Sequence, residues 1–464
     1  MIDTIQYMIL PFIFILGAAV VLHEFGHFIV AKILRVRVET FSVGFGPRLF
    51  GKRWGTTDYR VSLVPLGGYV KLGGDDSNAP IEGATAQNIP ARERFDLRPR
   101  WQKFLVMVAG PVMNMLTAFT YFFILALLNG VPVSLNSPVV SRVGQGGAAE
   151  VAGLRPGDRV VSFNGKDNPT WERIANDMLI SPEQALPVTV ERGGERLALT
   201  ISPKKEIEEG EAHGVIDFKP DYGDLPVTLV EVAPDSAAAE AGMRVGDHLY
   251  AINGERVRDQ QDIREIVQRE KDQPLRVTIE RAGQRSDLTA TPRVAAGAPL
   301  LGVKGVVYSP VKRAGLLAAA GYGVSSNIEI LRMTGAAFGQ IFKGQRSARE
   351  SLSGPIGIAK ASASAATKLG WAGIFWMLGF LSLNLGVVNL LPIPVLDGGA
   401  IFLLIIEAML GWAGMRLSMT VRERIQQVGF VMLLLIMGFV ITNDLLKTFS
   451  PSHTDDKPAA TQTK

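Results

Sequence analysis

Two histidines near the start of the chain have the spacing of a metal-binding pair. His23 and His27 are four residues apart, so that on a helix they share one face and can bind a single ion. Glu24 directly follows the first histidine, where its carboxylate can act as general base for a water molecule at the metal. The segment therefore predicts a metal-dependent hydrolytic site with Glu24 as its catalytic residue.

The predicted metal-binding segment lies at the end of an apolar run. Residues Ile5 to Leu22 form a run about long enough to cross a bilayer, which takes ~20 residues. Two histidines on an apolar helix could instead provide polar contacts between packed helices. Glu24 argues against that interpretation, because an ionisable group at membrane depth is functional by default.

A third ligand is expected far along the chain, where another apolar segment is interrupted. Trp371 to Leu391 predicts a span, and it runs into two prolines and two glycines between Pro392 and Gly399. Irregular backbone at this depth is tolerated where it is buried in protein or lines a wet cavity. Asp397 lies at the break, and two histidines with one carboxylate leave a fourth position for water on zinc. Glu407 is a rival carboxylate, but it lies on a continuous apolar stretch.

An asparagine lies within another predicted span, Phe104 to Leu128, which is broken by Gly110-Pro111. An amide inside a span most often hydrogen-bonds a neighbouring helix. The less common alternative is that Asn114 faces the metal site and contacts the substrate.

The composition indicates a membrane protein with a large polar part. The 464 residues are 47% hydrophobic, with a mean hydropathy of +0.20 and a net charge of +4. The basic residues gather in particular loops, which gives no reason to expect a nucleic-acid partner. The sequence contains no cysteine, which excludes disulfides, thiolate zinc sites and cysteine nucleophiles.

The distribution of the basic residues predicts the orientation of the chain. Twelve of them lie between Lys32 and Arg100, and none precedes Lys32. By the positive-inside rule the loops at 32–100 and 411–424 are cytoplasmic. Both termini and the region after the second span are then periplasmic, in a bacterial inner membrane.

The expected fold is mixed, with a four-span α-helical membrane core, a cytoplasmic membrane-associated β-hairpin region and two periplasmic β-rich modules. Predicted spans lie at 1–31, 101–129, 370–410 (with a broken helix) and 425–447. The other segments are the hairpin region at 32–100, the modules at 130–220 and 221–300, a linker at 301–369, a loop at 411–424 and a disordered tail at 448–464. The linker contains a predicted interfacial amphipathic helix, Leu316 to Phe342.

The loop between the first two spans carries a hairpin pattern. Tyr59 to Pro65 and Tyr69 to Leu72 flank Gly67-Gly68, which predicts two strands joined by a glycine turn. One interpretation is a small cytoplasmic β-subdomain, and the other is a sheet edge that takes up an extended substrate segment. The substrate-contacting residues of such an edge would be Val61, Leu63, Val70 and Leu72.

Residues 130–300 contain one module twice. Gly157-Asp158 and Asn164-Gly165 recur as Gly246-Asp247 and Asn253-Gly254, at a constant offset of 89 residues. Short β-rich runs, the Asn-Gly turn and one helical stretch in each copy resemble bacterial PDZ domains, which bind peptides by strand addition. The copies could also be spacers or a lid.

Taken together, these segments resemble the site-2 protease family of intramembrane zinc metalloproteases. The matching residues are His23-Glu24-Phe25-Gly26-His27, Gly110 with Asn114, and the run from Asn389 to Gly398. The resemblance covers nearly the whole chain, and the tandem PDZ modules narrow it to bacterial members. It implies that His23, His27 and Asp397 bind Zn²⁺, that Glu24 is the base and that Asn389 helps to hold the substrate near the metal.

The same resemblance implies the partners of the protein. The substrate would be a single-span transmembrane protein of the anti-sigma-factor type, already shortened by another protease and cleaved within the lipid membrane. Remnant signal peptides would be a second substrate class.

Two other functional classes use the same features. A zinc transporter would use the same ligands, but transport needs a release route and usually several intramembrane acidic residues. A non-catalytic scaffold built on the PDZ pair would leave Glu24 and Asp397 without a role in the membrane.

Overall fold

The structure is a computed structural model that describes residues 8–75, 89–208, 211–223, 225–295, 298–306, 311–351, 353–412 and 419–449. Residues 450–464 of the predicted tail lie outside this part of the chain. The chain combines helices and strands and divides into two compact units. The helical unit comprises Met1–Val131, Ile207–Ala212 and Arg313–Lys464, and the module unit comprises Pro132–Glu206 and His213–Lys312.

The helices of the described residues are α1 (Leu10–Ile33), α2 (Arg100–Asn129), α3 (Ala148–Val151), α4 (Trp171–Ile180), α5 (Ala237–Glu240), α6 (Gln260–Glu270), α7 (Leu316–Phe342), α8 (Ala348–Ser351), α9 (Pro355–Asn389), α10 (Asp397–Trp412) and α11 (Met419–Phe449). The strands are β1 (Val38–Trp54), β2 (Thr57–Leu72), β3 (Val131–Pro132), β4 (Val140–Val143), β5 (Arg159–Phe163), β6 (Lys166–Asp167), β7 (Leu186–Arg192), β8 (Glu195–Ile201), β9 (Lys205–Glu208), β10 (Glu211–Gly214), β11 (Phe218–Pro220), β12 (Val227–Val232), β13 (His248–Ile252), β14 (Glu255–Arg256), β15 (Leu275–Arg281), β16 (Gln284–Ala290), β17 (Arg293–Ala295), β18 (Ala298–Leu300), β19 (Val303–Val306) and β20 (Val311–Lys312).

Four helical segments of the described chain are long and apolar enough to cross a membrane, which confirms the predicted number of spans. They are Leu10–Ile33, Arg100–Asn129, Leu369–Asn389 and Arg424–Thr448. The predicted loop at 411–424 needs a correction, because its last residues are helical from Met419 onwards. Residues 419–424 contain neither proline nor glycine, so nothing in them stops the helix of the fourth span from extending.

Glycines bring the first three spans close together. A Cβ atom at Gly26 of α1 would lie 2.3 Å from the Ala109 carbonyl oxygen of α2. A Cβ atom at Gly386 of α9 would lie 3.0 Å from the Pro111 carbonyl oxygen of the same helix α2. Small residues at such contacts let helix backbones approach where a larger side chain would hold them apart. Helix α2 therefore touches both other spans, and the candidate site forms at these contacts.

Strands β1 and β2 form a sheet of four segments, which corrects the predicted hairpin at Gly67-Gly68. Segment 57–62 pairs with 48–54 on one side and with 40–43 on the other, and segment 68–72 pairs with the opposite side of 38–43. The tight turn contains Gly55 instead, and Gly67 (φ 140°) lies where the chain passes to the far side of the sheet. Alternation identified the strands, but it carries no information on which segments are neighbours.

Helix α7 has the bounds predicted for the interfacial helix, and it packs against two spans. Gly323 contacts the ring of Phe119 on α2, and Thr334 Oγ1 donates a hydrogen bond of 2.9 Å to Asn384 Oδ1 on α9. Its two central charges, Glu329 and Arg332, bond each other at 2.6 Å. The helix is not among the four segments above.

The module unit repeats one arrangement of strands, which supports the duplication read from the sequence. The second copy forms a sheet in the order β16-β15-β13-β12-β19, with β14 beside β13. In the first copy β8, β7, β5 and β6 follow one another and β4 pairs with β11. Core residues Ile174 and Val188 recur at the repeat offset as Ile263 and Val277. Because β19 pairs with β12, the second module extends to Val306, beyond its predicted end at 300.

A buried aspartate holds an arginine in each module. Arg192 donates hydrogen bonds of 2.6 and 2.7 Å to Asp158, and Arg281 donates two of 2.7 Å to Asp247. Burial alone would raise the pKa of either aspartate, but hydrogen bonds from the arginine and from a backbone N–H outweigh it and hold each pKa below its ordinary value. Both carboxylates therefore stay ionised at neutral pH, in a structural role.

Ion pairs also join the two modules to each other. Arg142 on β4 of the first copy bonds Asp262 and, at 2.7 Å, Glu265 on α6 of the second. Lys219 on β11 bonds Asp259, the residue that caps α6, at 3.0 Å. The two copies are thus connected by side chains as well as by the chain itself.

Candidate metal centre

The two histidines lie on one face of α1, as their spacing predicted. Their Nε2 atoms are 3.2 Å apart, and their rings meet edge to face. Helix α1 is continuous from Leu10 to Ile33, so the two histidines lie on neighbouring turns of one rigid helix. His23 is buried and His27 is largely buried.

Asp397 is the first residue of α10, directly after the turn that interrupts the third span. Val395 in this turn has φ 85°, a left-handed conformation that is unfavourable for a β-branched residue. A Cβ atom at Gly398 would lie 2.3 Å from the Leu390 carbonyl oxygen, and one at Gly399 would lie 2.1 Å from that of Ile393. Only glycine lets α10 begin so close to the end of α9, and this close start presents Asp397 to the histidines.

The three predicted ligands come together in the geometry that zinc requires. Asp397 Oδ2 lies 3.0 Å from His23 Nε2 and 3.4 Å from His27 Nε2. A tetrahedral zinc ion bound at ~2.0–2.1 Å to each ligand separates its ligand atoms by about 3.3 Å. The three atoms therefore fit one face of a zinc tetrahedron, and the fourth position remains for water or substrate.

Helix α2 packs against both histidines. His27 Nδ1 donates a hydrogen bond of 2.7 Å to the Val106 carbonyl oxygen, which leaves Nε2 free to bind a metal. A Cβ atom at Gly110 would lie 2.3 Å from His27 Nε2 and 2.7 Å from His23 Nε2. Both histidines thus pack against bare backbone at Gly110.

Asn114, which was predicted to contact substrate, lies against His23 in the interior of the helical unit. Its side chain is fully buried between α2 and α9, with Nδ2 3.2 Å from His23 Nδ1. Ser382 on α9 is also fully buried, and its hydroxyl donates a hydrogen bond of 3.1 Å to the backbone carbonyl oxygen of Asn114. The enclosed side chain of Asn114 thus contacts His23 and has no exposed surface in this structure.

Asn389 lies beside the metal ligands, as the resemblance implied. It is the last residue of α9, and its Nδ2 is 3.3 Å from His23 Nε2. The side chain is partly exposed, unlike that of Asn114. It is therefore the one of the two amides that a bound peptide could reach.

Glu24 lies between the ligands and an edge of the sheet. Its Oε2 accepts a hydrogen bond of 3.1 Å from the Val70 backbone N–H. The Gly73 N–H donates a hydrogen bond to the Arg37 carbonyl oxygen, toward the neighbouring strand. Because backbone N–H groups alternate between the two sides of a strand, the N–H of Val70, three residues earlier, points to the other, unpaired side. No strand of the described residues pairs with this side of segment 68–72, so the candidate base is in direct contact with an unpaired strand edge.

The structure separates the other residues that were predicted around the site. Val61 has strand partners on both sides, Val43 and Phe50, so its segment offers no free edge there, and Leu63 of the same segment is exposed. Val70 and Leu72 lie on the edge segment. The rival carboxylate Glu407 lies 3.8 Å from Arg422 and is not in the ligand cluster.

Three contributors to the site escaped the analysis of the sequence. The Val106 carbonyl and the Val70 N–H are backbone groups, which no residue type signals. Ser382 could have been found, because Ser382, Gly386 and Asn389 repeat at the spacing of one helix face within an apolar span.

The chain matches peptidase family M50 over residues 11–436. A protein of Vibrio cholerae serotype O1 whose name describes it as a zinc metalloprotease is 31% identical, covering 96% of this chain and 99% of that protein. The regulator of sigma-E protease of Escherichia coli strain K12 is 29% identical, covering 93% of this chain and 97% of that protein. The protein of the same name from Salmonella typhimurium is also 29% identical, covering 95% and 99%.

Among solved structures, a PDZ domain of an SdrC-like protein from Listeria monocytogenes is 17% identical, covering 20% of this chain and 94% of its own, with a TM-score of 0.17. That score is too low to support an argument about the fold. The family match, in contrast, extends from the first span to the fourth, through every segment that carries a ligand. The chain therefore belongs to peptidase family M50, the site-2 protease family, and is an intramembrane zinc metalloprotease.

Proposed function

We propose that this protein hydrolyses a peptide bond within or near the transmembrane segment of single-span membrane proteins, with Zn²⁺ held by His23, His27 and Asp397. The observation that carries the proposal is the ligand triangle of 3.0, 3.2 and 3.4 Å, with Glu24 at its side and a free strand edge next to Glu24. A zinc transporter or a scaffold would need no strand edge at this place.

The residues of the chain divide the chemistry between them. A bound Zn²⁺ would supply Lewis acidity, which acidifies water and polarises the scissile carbonyl. Glu24 is not one of the three ligands, so its carboxylate is free to accept the proton of the attacking water and then to pass it to the leaving amine. Asn389 is placed to hold the peptide by its backbone beside His23.

The substrate must reach the site as an extended segment. A transmembrane helix hides its carbonyl groups in internal hydrogen bonds, so it has to unwind before attack. We infer that the unwound segment adds to the edge at Val70 and Leu72 and that the N–H of Val70 then turns from Glu24 to a substrate carbonyl. Strand addition would in this way release the base at the moment when the peptide arrives.

The substrate class follows from the family and its relatives. Two relatives carry the name regulator of sigma-E protease, so anti-sigma factors with a single span are the expected substrates. Remnant signal peptides, which are also short membrane helices, form a second expected class.

The orientation proposed for the chain rests on its basic residues. By the positive-inside rule, those between Lys32 and Arg100 support a cytoplasmic position for the β1–β2 sheet and a periplasmic one for the modules between the second and third spans. Reporter fusions test this at Gly74, which should be cytoplasmic, and at Gly193, a turn of the first module, which should be periplasmic. The fusion sites Gly210 and Gly414 chosen from the sequence, and any site after Ser450, lie outside the described residues.

We infer that the modules exclude substrates with bulky outer domains. The ion pairs of Arg142 and Lys219 with α6 hold the two modules to each other. A fixed pair of this kind suits a filter, a structure that keeps bulky domains away, better than it suits two independent peptide receptors. Strand addition to the second module would need the free edge of β19. There the carbonyl oxygen of Val303 already accepts a hydrogen bond of 3.1 Å from the Gln260 side chain of α6.

A glutamine at position 24 tests the catalytic assignment. Glu24→Gln should keep about one zinc per chain and lose cleavage of a single-span substrate, because the base is not a ligand. His23→Ala and Asp397→Ala should lose both. The assay needs purified protein, a model substrate and a zinc measurement, with chelator-treated enzyme as control, and normal proteolysis by Glu24→Gln would refute the assignment.

A further inference from the structure

His23 faces two different demands on its two ring nitrogens. Its Nε2 belongs to the candidate ligand triangle, while its Nδ1 faces α2, 3.2 Å from the Asn114 side chain. A histidine that gives Nε2 to a metal carries its proton on Nδ1 and needs a hydrogen-bond acceptor there. The partner at Nδ1 therefore determines which nitrogen binds the metal and how the ring is oriented.

Asn114 can be that acceptor after a half-turn of its amide group. The amide oxygen and nitrogen are nearly equal in size, so exchanging them leaves the packing unchanged. Oδ1 would then accept the Nδ1 proton of His23, and Nδ2 would donate to Ser382 Oγ, which lies 3.3 Å from the exchanged position. The Ser382 hydroxyl still donates to the Asn114 carbonyl oxygen, so each polar atom in the chain from His23 to Ser382 has a partner of the right kind.

We propose that Asn114 and Ser382 are positioning residues that orient His23 for Zn²⁺. This inference rests on the proposed metal site. Both side chains are fully buried, so no water can take the place of Asn114 beside His23 or of Ser382 beside Asn114. His27 is oriented in the matching way by the Val106 carbonyl oxygen, which lies eight residues before Asn114 and thus on the same face of α2. One face of α2 therefore orients both histidine ligands, one through its backbone and the other through a side chain.

The alternative role for this pair is simple adhesion between spans, and the chain offers a control for it. Thr334 and Asn384 form another hydroxyl–amide hydrogen bond between helices, of 2.9 Å, and neither residue touches a metal ligand. Asn384→Leu removes that bond by the same substitution as Asn114→Leu, and Thr334→Val removes a hydroxyl group as Ser382→Ala does. A loss that is due to adhesion should appear in both pairs.

The experiment measures zinc affinity by competition with a chromophoric chelator, using full-length protein in detergent, with a thermal melt for each variant. Asn114→Leu should bind zinc about 10- to 100-fold more weakly than wild type, the usual effect of losing the group that orients a ligand. Asn114→Asp keeps an acceptor oxygen and should retain tight binding. Ser382→Ala should weaken binding less than Asn114→Leu, and Asn384→Leu and Thr334→Val should bind as wild type does.

Two outcomes overturn the proposal. The first is that Asn114→Leu binds zinc as tightly as its control, Asn384→Leu. If Asn114→Leu does not fold, the deciding result is that Ser382→Ala binds zinc as tightly as its control, Thr334→Val. The other is Asn114→Asp losing zinc as completely as Asn114→Leu, since the acceptor would then be irrelevant. Failure of the metal site itself would look different, because wild type would then bind zinc no better than His23→Ala.

Discussion

At the scale of single residues, the site depends on the lack of a side chain at Gly110 as much as on its candidate ligands. The two histidines occupy the space where any side chain at position 110 would begin. Asn114, one turn further along α2, fills the remaining space with the group that we propose orients His23. The ligands come from α1 and α10, whereas α2 supplies no ligand and sets their positions.

Gly110→Ala tests this dependence. The added methyl group would lie 2.3 Å from His27 Nε2, so the histidines must move apart or the spans must separate. We expect zinc affinity to fall at least about tenfold, the lower bound for disturbing the contacts that hold a ligand. The measurement is the same chelator competition.

Gly438→Ala in α11 is the matched control, because a Cβ atom there meets nothing within 4 Å. Alanine should even favour that helix slightly, by up to about 1 kcal/mol. Equal zinc affinity in the two variants would show that the close packing at Gly110 is unimportant.

At the scale of elements, the edge segment 68–72 and the turn between α9 and α10 determine what can reach the ligands. The edge segment follows α1 toward its metal-binding turns, since Gly68 contacts Val21 and Val70 bonds Glu24. The turn with the strained Val395 supplies the carboxylate. A peptide laid along the edge would therefore pass beside Glu24.

Val70→Pro tests strand addition. Proline removes the outward N–H but is tolerated on a strand edge, so the sheet and the zinc content should be preserved. Loss of one backbone hydrogen bond, about 0.5–1.5 kcal/mol, should slow substrate cleavage roughly 2- to 10-fold. Cleavage is followed with a single-span substrate at saturating zinc.

Val70→Ala is the control, because it trims the same side chain and keeps the N–H. Strand addition also predicts that helix-breaking residues in the substrate span speed its cleavage. If the proline and alanine variants cleave at one rate, the peptide does not pair with this edge.

At the scale of the whole molecule, the candidate metal site and the duplicated modules belong to separate compact units. The helical unit contains the candidate ligands, the base and the strand edge, and the module unit contains the duplicated domains. The ion pairs of Arg142 and Lys219 make the two modules one piece. This division predicts that access can be changed without changing the chemistry.

Deleting residues 133–306 tests the filter. These limits remove β4 to β19 together, whereas a deletion that ended at 295 would leave β19 without its partner β12. The shortened enzyme should cleave substrates that still carry an intact outer domain and should continue to cleave trimmed ones. Zinc content is measured in parallel to show that the helical unit has folded.

Recruitment by the modules predicts the opposite result. In that case trimmed substrates would lose their docking site and would no longer be cleaved, although zinc stays bound. A double replacement of Arg142 and Lys219 by alanine, which loosens the modules without removing them, should fall between the deletion and wild type.

Features that depend on local spacing and polarity could be predicted from the order of the amino acids alone. Four such features of the sequence are found again in the structure: the histidine pair four residues apart, the carboxylate at a helix break, the four spans and the constant repeat offset. Periodicity reports which face or which depth a residue occupies. It does not report which other element lies opposite.

Which segments lie next to one another became known from the folded chain and not from local patterns. Asn114 is enclosed beside His23 because Gly386 and Ser382 let α9 approach α2. Val61 has no free edge because a second segment pairs with it, and a local pattern does not show which segments pair. The supporting groups at Val106 and Val70 are backbone atoms, identical in every residue that carries them. Their roles arise from distances between segments that lie far apart in the sequence, and packing alone sets those distances.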